Sequence, residues 1–396
     1  MQLLQVLLGA FVGLLLGAFA GLVPGVHSNT LSSILAQMMP GAEWVPFAII
    51  AALAAHTVFE FVPAIFLFVP EEGTVVATLP GQRMMLAGKG IEALQITAIS
   101  CLGAAGIAFV LLPFAGAFFP LAYGSVKGLM LPVLVAACAF LLWSEREGRK
   151  IAIATGVFLL SGMLGFATLR LGISDPLFAT FSGLFAVSGL LMAGEGREER
   201  TRQKECGRLK LDFAKYVFIG AILGLLADLL PGIASPAQIA VFATALVPVL
   251  GSREFLALVS SIASSHSVFA LSAAASIGKA RVGAVAIAEQ YAKIDSGLVW
   301  VYGALFVLVV GVCAAVVIRF SGKIANVVSG SGIGRLNYPI IAYLAVAVLL
   351  ICGPSGLAVM GTGAAIGCLP VLLGVRRTHV MGAILVPSMV LIVGFG

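Results

Sequence analysis

Four ionisable side chains stand inside long apolar stretches of this 396-residue chain: His56, Glu60, Asp228 and His266. His56 and Glu60 are four residues apart in one run, which places both on one face of a helix. Asp228 just precedes the second of two Pro-Gly pairs, where the first half carries Gly21, and His266 follows in the next apolar run. Titratable groups at membrane depth are costly and commonly line ion paths or proton relays. These four are therefore candidates for coupling a transport step to Na⁺ or a proton, or else for hydrogen-bonded contacts within a helical core. Ala270 stands where a counterpart of Glu60 would fall, so the second half has no matching i,i+4 acid.

Backbone chemistry supplies a second candidate site. Pro24-Gly25 and Pro231-Gly232 each interrupt a glycine-rich apolar stretch, and a short apolar stretch resumes a few residues later. Ser28, Asn29 and Thr30 are good caps for the first restart. Ser235 is a cap for the second, followed by Pro236 at the first helical position. A helix that restarts leaves unpaired N–H groups and a partial positive charge, an arrangement that holds an anion without buried arginines. Pro24, Gly25, His27, Ser28, Asn29, Thr30, Pro231, Gly232, Ser235 and Gln238 make up this substrate-binding set. The plainer reading is a pair of kinked helices whose gaps are filled by neighbours.

The surrounding elements must be membrane helices. Hydrophobic residues make up 61% of the chain and charged ones 10%, with a mean hydropathy of +1.13. A soluble domain carries about 25% charged residues, and each bilayer crossing takes roughly 20 apolar ones. The net charge of +6 does not mark a nucleic-acid binder, because the basic residues sit in short loops between apolar runs. Apolar segments fall near 2–22, 28–39, 46–69, 92–119, 128–143, 151–169 and 176–193, then near 216–230, 236–250, 256–277, 297–319, 338–352, 355–373 and 379–395. The first lacks a basic flank and reads as part of the mature protein. Glycines at 9, 13, 17, 21 and 25 form a ridge on one helical face, suited to close packing.

The chain divides into a first transmembrane repeat (1–193), a charged linker (194–215) and a second repeat (216–396). Gly13, Gly17, Pro24 and Gly25 recur 207 residues later as Gly220, Gly224, Pro231 and Gly232, and Ala55-His56-Thr57-Val58-Phe59 recurs 210 later as Ser265-His266-Ser267-Val268-Phe269. Two matches in the same order indicate an internal repeat. Basic residues in the loops place Arg83, Lys89, Arg146, Arg149, Lys150, the linker, Arg319, Lys323, Arg335, Arg376 and Arg377 in the cytoplasm. That assignment works if 2–39 and 216–250 are re-entrant hairpins entered from opposite faces. The expected fold is thus an all-α polytopic membrane protein of two inverted repeats, each a broken-helix hairpin plus about five spans.

Catalytic and metal motifs are missing from the sequence. No HExxH, CxxC or Walker loop occurs, and the cysteines are scattered singly. Gly353-Pro354-Ser355-Gly356 resembles the nucleophile setting of an intramembrane serine protease, but the nearest histidine in the sequence, His379, follows Arg376-Arg377 at a loop. The chain therefore reads as a non-enzyme with no resident cofactor.

Three pieces carry a family resemblance: Gly17 to Leu35, with its glycine-rich helix and Pro-Gly turn; Val69 to Gly81; and Gly88-Lys89-Gly90-Ile91-Glu92-Ala93-Leu94. In this order they resemble the TctA-type permeases of tripartite tricarboxylate transporters, in an archaeal-type branch. The resemblance implies a cell-membrane, multi-pass permease that moves a di- or tricarboxylate by alternating access, with accessory subunits. Glu71-Glu72 and Ser264-Ser265-His266-Ser267 depart from the family pattern, so the substrate and the need for accessory subunits stay open. Broken-helix Pro-Gly repeats also occur in translocases of polyprenyl phosphate, a lipid anion equally suited to helix N-termini. The partners expected are the bilayer and a small anion or lipid phosphate, with a homodimer also compatible.

Overall fold

A computed structural model of the chain describes residues 2–23, 28–67, 74, 76–126, 128, 130–192, 203–204, 209–229, 250–329 and 333–394. The α-helices of the first half are α1 (Gln2–Leu22), α2 (Ser28–Met38), α3 (Val45–Phe59), α4 (Phe61–Phe66), α5 (Thr78–Leu86), α6 (Gly90–Val110), α7 (Leu112–Val126), α8 (Met130–Trp143), α9 (Gly148–Arg170), α10 (Pro176–Phe181) and α11 (Ser188–Met192). The second half holds α12 (Ala214–Leu229), α13 (Ser252–Ile277), α14 (Gly283–Tyr291), α15 (Ser296–Ser329), α16 (Ile333–Leu373) and α17 (Gly382–Val393). Seven helices among the described residues are long and apolar enough to cross a membrane. The chain is a multi-pass, all-α membrane protein.

The glycine ridge explains how α1 is held. Gly9 packs on Trp44 and Phe47, Gly13 on Ala48 and Ala51, Gly17 on Ala52, and Gly21 on His56, Phe59 and Glu60. Without side chains at these positions the two backbones approach closely, so dispersion contacts replace the hydrophobic effect that lipid does not supply. The opposite face carries Leu4, Leu7, Phe11, Leu15 and Phe19, all exposed as suits contact with acyl chains. The ascending order of contacts means that α1 and α3 run parallel. The chain therefore doubles back through α2 between them. The second half repeats the device: Gly220 packs on Leu258, Ser261 and Ile262, and Gly224 on Ile262, Ser265 and His266, so α12 and α13 are also parallel.

The core consists of α3 and α13, buried along nearly their whole lengths. α13 combines this burial with polarity, because its serines are small and self-satisfying. Ser260 and Ser265 donate to carbonyls four residues back, and Ser264 donates to Cys101 O on α6. α6 fixes the relative directions. Phe66 lies at Gly90 and Tyr302, which stacks edge-on to Phe47, follows closely on the Trp300 that meets Phe109, so α3 is antiparallel to α6. Arg253 pairs with Glu92 and Ser264 with Cys101, so α13 is parallel to α6. α3 and α13 thus run in opposite directions, each with a parallel helix packed on it.

Several expectations need correction. The segment 92–119 is two helices, α6 and α7, separated at Leu111. The short helices α5 and α14 were missed, because nine-residue elements fall below the length at which apolar runs announce themselves. The expected break between 352 and 355 is present: Gly353 has φ 71°, a conformation glycine adopts without strain, and Pro354 follows it. The expected helix at 236–250 lies outside the described residues.

The linker is anchored where it is described. Gln203 is buried, accepts from the Gly90 amide at 2.7 Å and donates to Met85 O at 3.0 Å, while Lys204 N–H donates to Gly88 O. Gly90 begins α6, so Gln203 satisfies an amide that the helix itself cannot. The Gln203→Ala variant is expected to lose about 1–3 kcal/mol through the unpaired amide. A lower melting temperature and faster proteolysis of the linker would show it; an unchanged melt would refute this anchoring role.

Candidate functional site

The sequence pairs His56 with Glu60, and the structure brings their side chains to the same buried spot: Nδ1 of His56 lies 3.9 Å from Oε2 of Glu60. Glu60 sits at the junction between α3 and α4. The second half builds a similar pair by another route. Asp228, fully buried near the C-terminus of α12, reaches across to α13, where its Oδ2 lies 3.1 Å from Nδ1 of His266. The sequence left Asp228 and His266 unpaired, although the signal was present in the repeat. Asp228 occupies the place of Gly21, and Gly21 packs against the backbone carbonyl of His56. A side chain added there points toward the neighbouring histidine, so each half supplies one histidine–carboxylate pair.

The two pairs sit at different depths. The Cys101 sulfur lies against both Thr57 O and Ser260 O, at 3.7 and 3.5 Å, which sets those residues level. His56 adjoins Thr57, while His266 lies six residues beyond Ser260, a rise of about 9 Å along α13.

A further group gathers beside Asp228. After the left-handed Gly278 that ends α13, the chain turns back, and Arg281 Nε donates to Asp228 O at 3.3 Å. The Arg281 guanidinium also lies 5.7 Å from the Tyr123 ring of α7. Two residues on, α14 begins, and the Asn29 side-chain oxygen accepts from Ala284 N–H at 2.9 Å. Farther along, Tyr291 Oη donates to Ala36 O and Met39 O, so α2 and α14 run parallel with adjacent N-termini. Asn29, a cap candidate for its own helix, accepts at the start of α14. Ser28 is buried, and its carbonyl accepts from Ser32 Oγ. Thr30 belongs to α2, its side chain being outside the described residues, as are Pro24, Gly25, His27, Pro231, Gly232, Ser235 and Gln238. The sequence gives no signal for Arg281, which lies outside the apolar runs just after the turn at Gly278. Among the described residues no group of three or more His, Cys, Asp or Glu is placed to hold a metal.

Comparison with known families decides what this arrangement belongs to. The sequence pattern of the tripartite tricarboxylate transporter TctA family matches residues 7–382. The chain belongs to that family. This TctA-family permease is a membrane transporter of a class that works with other subunits. It is similar to an uncharacterized protein of Methanocaldococcus jannaschii, 26% identical over 267 residues, 65% of this chain and 66% of that one. No solved structure matches it.

The permease also resolves the serine motif. Ser355 is at the start of the second part of α16, and His379 follows its far end at Leu373, about 27 Å of helix away. His379 is engaged instead with Glu145, Nε2 to Oε1 at 2.7 Å, in the loop between α8 and α9. Arg376 N–H donates to the same oxygen at 2.9 Å. Burial pushes the Glu145 carboxyl up, but the Arg376 amide, the His379 ring and the Arg376 charge outweigh it and hold the carboxyl below its ordinary value of 4.5. A depressed carboxyl stabilises the fold above the unfolded-state value and loses that contribution as pH falls through the native one. The melting temperature is therefore expected to drop below about pH 4.5, and Glu145→Gln to flatten that drop while lowering stability at neutral pH. A Glu145→Gln melt that keeps the wild-type acid limb would count against this.

Proposed function

We propose that this permease moves a small organic anion of the di- or tricarboxylate class by alternating access, coupled to a proton or Na⁺. The observation that carries the reading is the gathering of two parallel helix N-termini, Arg281 and a buried histidine–carboxylate pair along one chain of contacts. Helix N-termini and a guanidinium favour an anion, and a buried acid–base pair favours exchange of a small cation. The opposed directions of α3 and α13, each with a parallel hairpin helix, support reading 1–193 and 216–396 as inverted repeats. Two equivalent arrangements on opposite faces suit a site opened to each side in turn. The end carrying Arg83 of α5 and Lys89 lies with the linker, which supports a cytoplasmic position for it.

The test is uptake of radiolabelled citrate and succinate into proteoliposomes, with and without accessory subunits, under imposed pH and Na⁺ gradients. Gradient-driven uptake supports the reading. Transport intact after Ser28, Asn29 and Ser235 are all replaced by alanine would place the site elsewhere. Translocation of a short-chain polyprenyl phosphate without carboxylate uptake would replace the carboxylate with a lipid phosphate.

A further inference from the structure

Among the described residues Arg281 is hydrogen-bonded by one edge only. Its Nε serves Asp228 O, the kind of contact a cation makes at the negative end of a helix. Among the described residues its buried Nη2 has no hydrogen-bond partner, and neither has Oδ1 of Asp228, whose other oxygen faces His266. Leaving a charged donor and a charged acceptor buried and unfilled is costly, yet neither group completes the other. Tyr123 offers the guanidinium a ring face and no acceptor in that contact.

From this geometry we infer that Arg281 is the specificity-determining cation of the permease: its free edge takes a substrate carboxylate, and Asp228 admits that carboxylate only when the Asp228–His266 pair carries a proton. The inference rests on the anion-transport reading above. A carboxylate at Nη2 accepts from the guanidinium but meets the negative charge of Asp228; protonation of the pair removes that repulsion and lets Oδ1 donate. Other ionisable groups on the elements around Asp228 are few. α12 adds Lys215 and Tyr216 at its far end, and α13 adds Arg253 and Glu254 at its start. α7 adds Tyr123, α14 adds Glu289 and Tyr291, and α6 adds Glu92, paired with Arg253, and the Cys101 thiol. Residues 230–249 contain no Asp, Glu, Lys, Arg or His.

The full chain in nanodiscs would be titrated with citrate and with succinate at pH 5.5 and 7.5, reading affinity by calorimetry and the ligand-free melting temperature as a check on folding. Wild type is expected to bind more tightly at the lower pH. Arg281→Gln is expected to lose binding by on the order of tenfold to a hundredfold, and Arg281→Lys by less, since lysine keeps the charge but not the fork. Asp228→Asn is expected to bind as tightly at pH 7.5 as at 5.5. If wild type binds citrate and Arg281→Gln or Arg281→Lys, folded by its melt, binds it equally well, the assignment of Arg281 falls alone. Asp228→Asn with an unchanged pH dependence removes the proton requirement. A wild type that binds neither carboxylate overturns the carboxylate reading and this assignment together, and a shift with a short-chain polyprenyl phosphate instead would name the lipid anion.

Discussion

Gly17→Leu is expected to prevent the first hairpin from assembling. A β-carbon at this position would run into the backbone of Ala52, where no side-chain rotation relieves the clash. Forcing extra methylenes into a packed contact costs about 1–3 kcal/mol, and here it also separates α1 from α3 along the whole glycine ridge. Helices in lipid have no hydrophobic effect to restore the contact. The expected result is loss of the monodisperse peak in detergent size-exclusion, with Gly17→Ala intermediate. Gly224→Leu should behave alike, since its β-carbon meets Ser265 Oγ and the His266 amide. Gly106→Leu, with nothing within 4 Å of the added carbon, should be tolerated. A Gly17→Leu protein as monodisperse as the Gly106→Leu control would refute the close packing of α1 on α3.

His266→Ala should cost nearly as much by a different route. It strips the only hydrogen-bond partner found among the described residues from a fully buried Asp228 carboxylate. Removing one member of a buried pair typically costs about 3–5 kcal/mol, most of it the penalty of the stranded charge. The double variant His266→Ala/Asp228→Ala should therefore be more stable than His266→Ala alone, while neither transports. Thermal melts of the two single variants and the double one form the cycle that isolates the coupling. If the double variant is as unstable as the sum of the singles, the pair has no interaction in the fold. The same cycle on His56 and Glu60 should give a smaller coupling, because 3.9 Å exceeds hydrogen-bond distance.

Local and periodic features were legible in the sequence. The membrane class follows from composition, the facing of the glycine ridge from its period of four, the His56–Glu60 pair from an i,i+4 spacing, and the break at Gly353 from Gly-Pro. All depend on residues close in the chain, where helix geometry alone fixes who faces whom. The repeat announced itself through constant offsets, and the parallel pairs α1–α3 and α12–α13 follow the same offsets.

What the sequence withheld were contacts made across helices. Asp228 meets His266 because α12 and α13 pack in register through Gly220 and Gly224. Asn29 serves Ala284, 255 residues away, because the turn after Gly278 sends the chain back to the start of α2. Arg281 meets Asp228 through the same turn. The sequence alone determined a glycine-ridged membrane chain of the TctA type. The tertiary structure decided which buried charges meet, because side chains on different helices become neighbours only through the depth and direction of packing, which no spacing along one helix encodes.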